Sequence, residues 1–311
     1  MSDLLVHVGL HRTGSTWLQK AALPCPDVPI DDVWSDRADL ARKIITPTDA
    51  DFSCEVVRME LESRCAGIRS EEIRPAISHE RLSGNPSSGG FDMSRTAERI
   101  ERIAPSARIL IVLREQQSAL ESIWCQAVRI GLYCSARDYL RMYDPGDQRI
   151  PHFEPSYLQY DRVVEEYARR FGRERVLAID FEVLRRDPLL YMNEICRFTG
   201  VGTVTNVPKE ARYARPHPLE AAILRRGNLL HRRSSMNPGP PFESKWTWRQ
   251  WSNASGFLSR HAPAWLKERF QNDLAETVAG LLDTHDEMIR ASNRRLRDEF
   301  EVDLKSDDWR V

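Results

Sequence analysis

The chain has 311 residues, of which 41% are hydrophobic and 29% charged, and its formal net charge is −1. Such a chain can bury a sizeable core, and its ordinary content of 15 glycines and 18 prolines gives no sign of a fibrous or disordered protein. Its balanced charge gives no overall attraction for nucleic acid or an anionic membrane, so neither is expected as a partner. Six scattered cysteines, no apolar run of membrane-spanning length and a first strand that begins by Leu4 predict a cytoplasmic protein without an integral membrane segment.

Strand and helix patterns alternate through the first 200 residues. Residues 4–8 form an apolar run broken only by His7, which is typical of a buried parallel strand. Strands separated by helices indicate an α/β fold with a parallel sheet covered on both faces. Further strands are predicted at residues 74–78, 108–113 and 176–180, and helices at 15–23, 38–44, 53–66, 94–104, 117–130, 158–171 and 189–200.

The last third of the chain has a different character. Residues 202–311 are predicted to be mostly helix and loop, with a strongly helical tail. No linker divides the chain clearly, so we expect a single domain over residues 1–311. Trp246, Trp248 and Trp251 are spaced in a way that fits neither a regular strand nor a regular helix, which predicts a segment that is half core and half loop.

The first predicted strand leads into a glycine-containing loop and then a helix. Gly9 and Gly14 have the spacing of a nucleotide phosphate loop, in which backbone N–H groups and the start of a helix surround an anion. Thr13, Ser15 and Thr16 add hydroxyl groups. A nucleoside-triphosphate loop would continue with Lys after Gly14, but Ser15 stands there. The pattern therefore predicts a phosphate site and disfavours ordinary ATP or GTP hydrolysis.

The loop sequence resembles the 5′-phosphosulfate loop of PAPS-dependent sulfotransferases, particularly the bacterial branch. The resemblance implies a P-loop-like three-layer fold with a central parallel sheet flanked by helices and a helical C-terminal extension, and it implies PAPS as donor and PAP as product. Arg12 stands where the family usually has lysine, which implies a catalytic as well as a binding role. The resemblance is carried by residues 11–19, which include Leu18 and Gln19. The residues of this stretch that are implied to bind the donor are His11, Arg12, Thr13, Gly14, Ser15, Thr16 and Trp17.

A second phosphate anchor is predicted at the end of the strand 108–113. Arg114 ends this strand and Ser122 follows eight residues later on the next helix, as in the 3′-phosphate motif of the same family. A guanidinium can bind two phosphate oxygens while a hydroxyl binds a third. The family's usual Asn-Pro after the arginine is replaced by Glu115 and Gln116. Further stretches resemble the family but are expected to support the fold more than the reaction. They are residues 160–172, 181–188, 198–201, 293–296 and 303–304.

A general base is expected because the acceptor must lose a proton as it attacks sulfur. Residues 76–80 end the second predicted strand and resemble the Ser-x-Glu segment of bacterial family members. Glu80 is the first candidate and His79 the second. The structural alternatives are a carboxylate that is solvated or paired with Arg81 or Arg12, and a hydrogen-bonded strand-end histidine. No carboxylate pair is spaced to hold a metal, so no metal is expected.

The acceptor is not named by the sequence. Saccharide, lipid, peptide tyrosine and small phenol all remain open, with a carbohydrate or related natural product favoured, and residues 202–311 are expected to contribute to its site. The three tryptophans could line a sugar or aromatic ring. Arg232 and Arg233 either meet an anionic acceptor, cover the 3′-phosphate or are exposed charges. A P-loop kinase-like phosphotransferase and a non-catalytic PAP or nucleotide-binding protein are the alternative functions.

Overall fold

The structure of the protein is a computed structural model. Two compact units divide the chain. The first comprises Met1–Glu115, Pro155–Tyr213 and Glu287–Val311, and the second comprises Gln116–Glu154 and Ala214–Asp286. The residues that the structure describes are 4–68, 70, 72–86, 90–141, 153–208, 216–234 and 236–311.

A five-stranded sheet lies at the centre of the first unit. Its strands are β1 (Leu5–Gly9), β2 (Ile30–Asp32), β3 (Arg74–His79), β4 (Arg108–Leu113) and β5 (Val176–Asp180). They run parallel in the order β2-β3-β1-β4-β5. All five residues of β1 are buried, which explains why this strand reads as a nearly continuous apolar run.

Helices flank the sheet and confirm the predicted α/β class. One core cluster packs Trp17 and Leu18 from the first helix against Leu5 and Val112 of the sheet and Ile195 of a later helix. The helices of the first unit are α1 (Ser15–Trp17), α2 (Arg37–Leu40), α3 (Cys54–Cys65), α4 (Met93–Ile103), α7 (Tyr160–Phe171), α8 (Phe181–Arg186) and α9 (Pro188–Thr199). A π-helical turn at Leu18–Ala22 continues α1. The last helix, α13 (Asp286–Asp298), also belongs to this unit except for its first residue.

The second unit is helical in its described residues. It contains α5 (Gln116–Ile130), α6 (Ala136–Arg141), α10 (Pro218–His231), α11 (Lys245–His261) and α12 (Ala264–Thr284). The predicted helical character of the C-terminal part is therefore confirmed. The loop predicted after residue 204 lies partly outside the described residues, as do residues 87–89 of the loop predicted near 83–90.

Two elements differ from the sequence-based expectation. β2 has no counterpart in the prediction, because three residues are too few to show a period. The prediction that the tryptophan segment is half core and half loop is wrong, because Trp246, Trp248 and Trp251 all lie on the helix α11. Trp248 and Trp251 turn towards α10, where their indole N–H groups donate to Asn228 Oδ1 and the Ile223 carbonyl, whereas Trp246 is 70% exposed. Gly227 lets Trp251 approach, because a Cβ there would lie 2.0 Å from its Cδ1.

The C-terminal segment completes the first unit. Asp180, buried at the end of β5, accepts from the backbone N–H of Glu182 at 2.9 Å, from that of Lys305 at 2.8 Å and from Trp309 Nε1 at 2.9 Å. Asp161, buried at the start of α7, accepts from Arg295 Nη1 at 2.7 Å and bonds to Ser292 Oγ. Hydrogen-bond donors thus surround each desolvated carboxylate, which is how buried charge is tolerated.

Membrane-spanning helices, metal-binding clusters and disulfide bonds are all absent from the described part of the chain. None of its helices has the length and apolar character needed to cross a bilayer. No group of three or more His, Cys, Asp or Glu side chains there is placed to hold a metal ion. The same part includes all six cysteines, and none of them forms a disulfide bond.

Candidate active site

The predicted site residues of the first unit gather at the carboxyl end of β1. Val8 pairs with His79 of β3 on one side and Gly9 with Val112 of β4 on the other. The chain order reverses across β1, since β3 and β2 lie on one side and β4 and β5 on the other. Ligands of open parallel sheets bind at such a switch point, beyond the carboxyl ends of the strands.

The phosphate loop, residues 9–16, has a conformation that depends on Gly14. This residue has φ of +82°, and a Cβ would lie 2.6 Å from Leu184 Cδ2 and 2.9 Å from Phe181 Cε2. Arg12 is also left-handed, with φ of +70°, and its carbonyl accepts from Arg114 Nη1 at 2.7 Å. The loop is therefore held by α8, which packs against Gly14, and by Arg114, the residue that follows β4.

Two buried polar atoms of the loop lack hydrogen-bond partners among the described residues. They are Ser15 Oγ and His11 Nε2. An unpaired buried polar atom costs free energy unless a ligand or water pairs with it. Both atoms belong to the loop that the sequence predicts to bind phosphate. Thr13 differs, because its hydroxyl already donates to the Leu10 carbonyl at 2.6 Å within the loop.

Gly9 brings the loop and the candidate base together. A Cβ at this position would lie 2.5 Å from Ser15 Oγ, 3.1 Å from His7 Cε1 and 3.4 Å from the Glu80 Cα. Ser83 Oγ, three residues after Glu80, donates to the Gly9 carbonyl at 2.9 Å. The absence of a side chain at Gly9 thus leaves room for the Ser15 hydroxyl, and the Ser83 hydrogen bond holds the residues after β3 against the start of the phosphate loop.

His79 and Glu80 have different environments although they are neighbours. His79 is buried, and its Nδ1 accepts from the Arg81 backbone N–H at 3.0 Å, so the neutral ring carries its proton on Nε2. Burial lowers the pKa of His79 and keeps the ring neutral. Glu80 and a backbone hydrogen bond with Arg37 act in the opposite direction and raise this pKa, but burial is the larger effect. The Glu80 side chain is 38% exposed, and its Oε2 lies 3.9 Å from His79 Nδ1.

The charge on Glu80 is favoured by its surroundings. Burial alone would raise the pKa of this carboxyl, but interactions with His79 and His11 and hydrogen bonds that include the Gln19 side chain bring it below the ordinary value. Burial lowers the pKa of His11 to about 4, so this ring is neutral near pH 7. Glu80 is accordingly an ionised, partly accessible carboxylate beside the loop.

A buried polar chain, which sequence reasoning missed, runs beneath Glu80. Gln19 Nε2 donates to Ser78 Oγ at 3.0 Å, and Ser78 Oγ lies 2.7 Å from His7 Nδ1. His7 is 1% exposed, burial lowers its pKa to about 3, and its Nε2 has no partner among the described residues. The signal in the sequence is a lone histidine inside an otherwise apolar strand.

Four further residues complete the predicted set. Both N–H groups of Trp17 are engaged, the indole with the Pro208 carbonyl at 3.0 Å and the backbone with the Gly14 carbonyl at 2.9 Å. Its contact with the donor stays a prediction beside this packing role. Thr16 lies in α1 and is partly buried. Arg114 belongs to the first unit and Ser122, buried on α5, to the second, so their pairing stays a sequence-based prediction.

The chain belongs to the sulfotransferase family, since the model of that family matches residues 5–205, more than half of the sequence. The family predicted from the loop is therefore confirmed, and the protein is an enzyme of the sulfuryl-transferring class. The matched region contains the phosphate loop, Glu80, Arg114 and Ser122. A comparison with curated proteins gives no match.

Solved sulfotransferases resemble the structure in part. The enzyme from Alicyclobacillus acidocaldarius is 24% identical, with 80% of this chain and 99% of that chain covered and a TM-score of 0.48. Mouse sulfotransferase SULT7A1, complexed with PAP, is 14% identical, with 88% of each chain covered and a TM-score of 0.41. The sulfotransferase domain of the Synechococcus PCC 7002 olefin synthase is 12% identical over 81% of this chain and 93% of that domain, with a TM-score of 0.37.

Proposed function

We propose that this enzyme transfers the sulfuryl group of PAPS to a hydroxyl or amine of a small-molecule, saccharide or lipid acceptor and releases PAP. A carbohydrate or related natural product is the favoured acceptor. The observation that carries the proposal is the phosphate loop, where Ser15 Oγ and His11 Nε2 lack partners among the described residues and where Gly9 lies next to Glu80, whose carboxyl is ionised.

The donor-binding residues in this proposal are those of the loop together with Arg114 and Ser122. PAPS supplies an activated sulfuryl group, whose bond to the bridging oxygen breaks as the acceptor bonds to sulfur. Ser15 would donate its hydroxyl hydrogen to the 5′-phosphosulfate, and Arg12 would offset the negative charge that develops on the bridging oxygen. Arg114 and Ser122 are proposed for the 3′-phosphate from their spacing along the chain.

Glu80 is the proposed general base. It is ionised and partly exposed, so it can accept the acceptor's proton without first losing one of its own. His79 is less suited, because its one unprotonated nitrogen already accepts from the Arg81 N–H. His79 in this proposal supports Glu80 by fixing the turn that follows β3, where it caps the short 3-10 helix Glu80–Ser83.

Thermal unfolding with nucleotides tests the donor assignment. PAP without magnesium should raise Tm by several degrees, because a ligand at 100 times its Kd stabilises the folded state by about 2.7 kcal/mol. AMP, which lacks only the 3′-phosphate, should give a much smaller rise at the same concentration. Stabilisation by ATP with magnesium and none by PAP would instead favour the kinase-like alternative.

Turnover separates an enzyme from a nucleotide-binding protein that has lost activity. Labelled PAPS incubated with a panel of saccharides, phenols, amines and lipids should give a labelled product with at least one of them. PAP binding without any acceptor-dependent product would support the non-catalytic alternative. A cytoplasmic location belongs to the same proposal, and the six free cysteines fit a reducing compartment.

A further inference from the structure

A basic cavity in the second unit has no role in the candidate active site. It measures about 370 Å³ and lies where α10 ends and α11 begins. This volume is in the range of small-molecule sites and exceeds the needs of a single inorganic ion. Its lining residues are His231, Arg232, Arg233, Glu243, Lys245, Trp248 and Arg249.

The cavity is strongly positive although the whole chain carries a formal charge of only −1. Four of its lining residues are Arg or Lys and one is Glu, which leaves an excess of three positive charges when His231 is counted as neutral. Arg233 and Glu243 form a loose pair at 3.5 Å. Lys245 and Arg249 have no ion pair or hydrogen bond with the described residues, and they stand one turn apart on α11, so a single ligand can reach both.

Arg232 is held in place at one wall of the cavity. Its guanidinium lies 4.2 Å from the centre of the Trp248 ring and donates to the Arg129 carbonyl at the end of α5. The Trp248 indole in turn donates to buried Asn228 at 2.9 Å. Burial lowers the pKa of Arg232, so an anion brought next to it would replace part of its lost hydration.

The cavity is distinct from the predicted 3′-phosphate residue of the same unit. Arg129, which anchors Arg232, stands seven residues after Ser122 on α5, or about 10 Å along the helix. We propose that the cavity binds a small organic anion that carries a carboxylate or a sulfate ester.

Calorimetric binding of matched neutral and anionic probes tests the inference. The probe pairs are 4-nitrophenyl glucuronide with 4-nitrophenyl glucoside, and 4-nitrophenyl sulfate with 4-nitroanisole. The anionic member of at least one pair should bind about tenfold more tightly, as expected for charge-assisted hydrogen bonds. The double variant Lys245→Gln, Arg249→Gln should lose this preference, because both side chains are exposed and their loss leaves the fold intact.

The control is Arg260→Gln, which removes a charge from the same helix outside the cavity and should keep the preference. Equal binding of neutral and anionic probes would overturn the inference. So would a double variant whose PAP affinity falls with its probe affinity, because the charges would then serve the donor. If the protein binds PAP but shows no preference for the anionic probes, only the anion site in the cavity is rejected. If it prefers the anionic probes but does not bind PAP, only the proposed donor is rejected.

The polar chain beneath Glu80 carries a second inference independently. The Gln19 amide donates to Ser78 Oγ at 3.0 Å, two residues before Glu80, and lowers the pKa of the Glu80 carboxyl; Ser78 is fixed by its 2.7 Å contact with buried His7. We infer that Gln19 is a positioning residue that holds the Glu80 carboxylate in one orientation. This inference rests on the proposed function, since it concerns the base of that reaction.

Gln19→Leu should lower kcat at least tenfold while the acceptor KM and the PAP affinity change little. Loss of the hydrogen bond should raise the Glu80 pKa, so the acid limb of the rate profile should move to higher pH. Lys20→Gln, an exposed neighbour, is the control. An unchanged acid limb would contradict the positioning role, and a lost PAP affinity would point to damage of the loop instead.

Discussion

Glu80→Gln is expected to lower kcat by about 10²- to 10⁴-fold, the usual contribution of a positioned general base. Glutamine keeps the shape of glutamate but cannot take a proton from the acceptor. The measurements are acceptor-dependent PAP release and, separately, the PAP dissociation constant, which should stay within about twofold because Glu80 is not a donor ligand. The wild-type rate should fall as the pH drops, at a lower pH than for an ordinary glutamate, because the folded-state pKa of Glu80 is depressed.

Glu62→Gln provides the control for this substitution, since it removes an exposed carboxylate of α3. The residual rate of Glu80→Gln should also lose the acid limb. Should Glu80→Gln stay active while His79→Ala loses turnover with its fold intact, the two assignments would have to be exchanged. The hydrogen bond from Arg81 to His79 Nδ1 favours Glu80 over His79 as the base.

Gly14→Ala is expected to lower the free energy of unfolding by about 3 kcal/mol, through a strained positive φ and overpacking of the core. The new methyl group would meet Leu184 and the Phe181 ring, both packed in the core cluster, and would push the loop out of shape. PAP affinity should therefore fall by more than about 100-fold, since loop N–H groups and Ser15 would no longer converge. Chemical denaturation and calorimetry measure the two effects.

Gly200→Ala separates backbone strain from collision. Gly200 also has a positive φ, of +74°, but a Cβ there meets nothing within 4 Å. Its replacement should cost about 1 kcal/mol and leave PAP binding unchanged. If both alanine variants behaved alike, the packing of α8 against Gly14 would have no part in shaping the site.

Those parts of the fold that carry a period or a motif are predictable from the sequence. β1, β4 and β5 are apolar runs between turn signals, and Gly9 and Gly14 mark the loop between strand and helix. The prediction for the tryptophan segment fails for a physical reason. Trp248 and Trp251 face α10 while Trp246 faces solvent, so the apolar spacing does not describe one buried face.

The loop and the candidate bases of the site are predictable from the sequence, whereas the buried residues that support them are not. Glu80, His79 and the loop residues are found because their order resembles a known family. The register of β1 with β3 brings His7 to Ser78, and the π-helical turn that continues α1 brings Gln19 to the same serine, which no local pattern reveals. Likewise the basic cavity joins residues from the end of one helix and the start of another.

The hydrogen bonds of Asp180 and Asp161 to the C-terminal segment determine which fragments of this protein can be expected to fold. The family match ends at residue 205, but Lys305 and Trp309 satisfy Asp180, and Arg295 satisfies Asp161. A fragment that stops at residue 205 would lack these donors together with the buried Trp309 indole, which packs edge-on against Tyr160, so we expect it to be much less stable than the whole chain. The region that defines the family is therefore not the minimal folding unit, and ligand binding is best measured on the whole 311-residue chain.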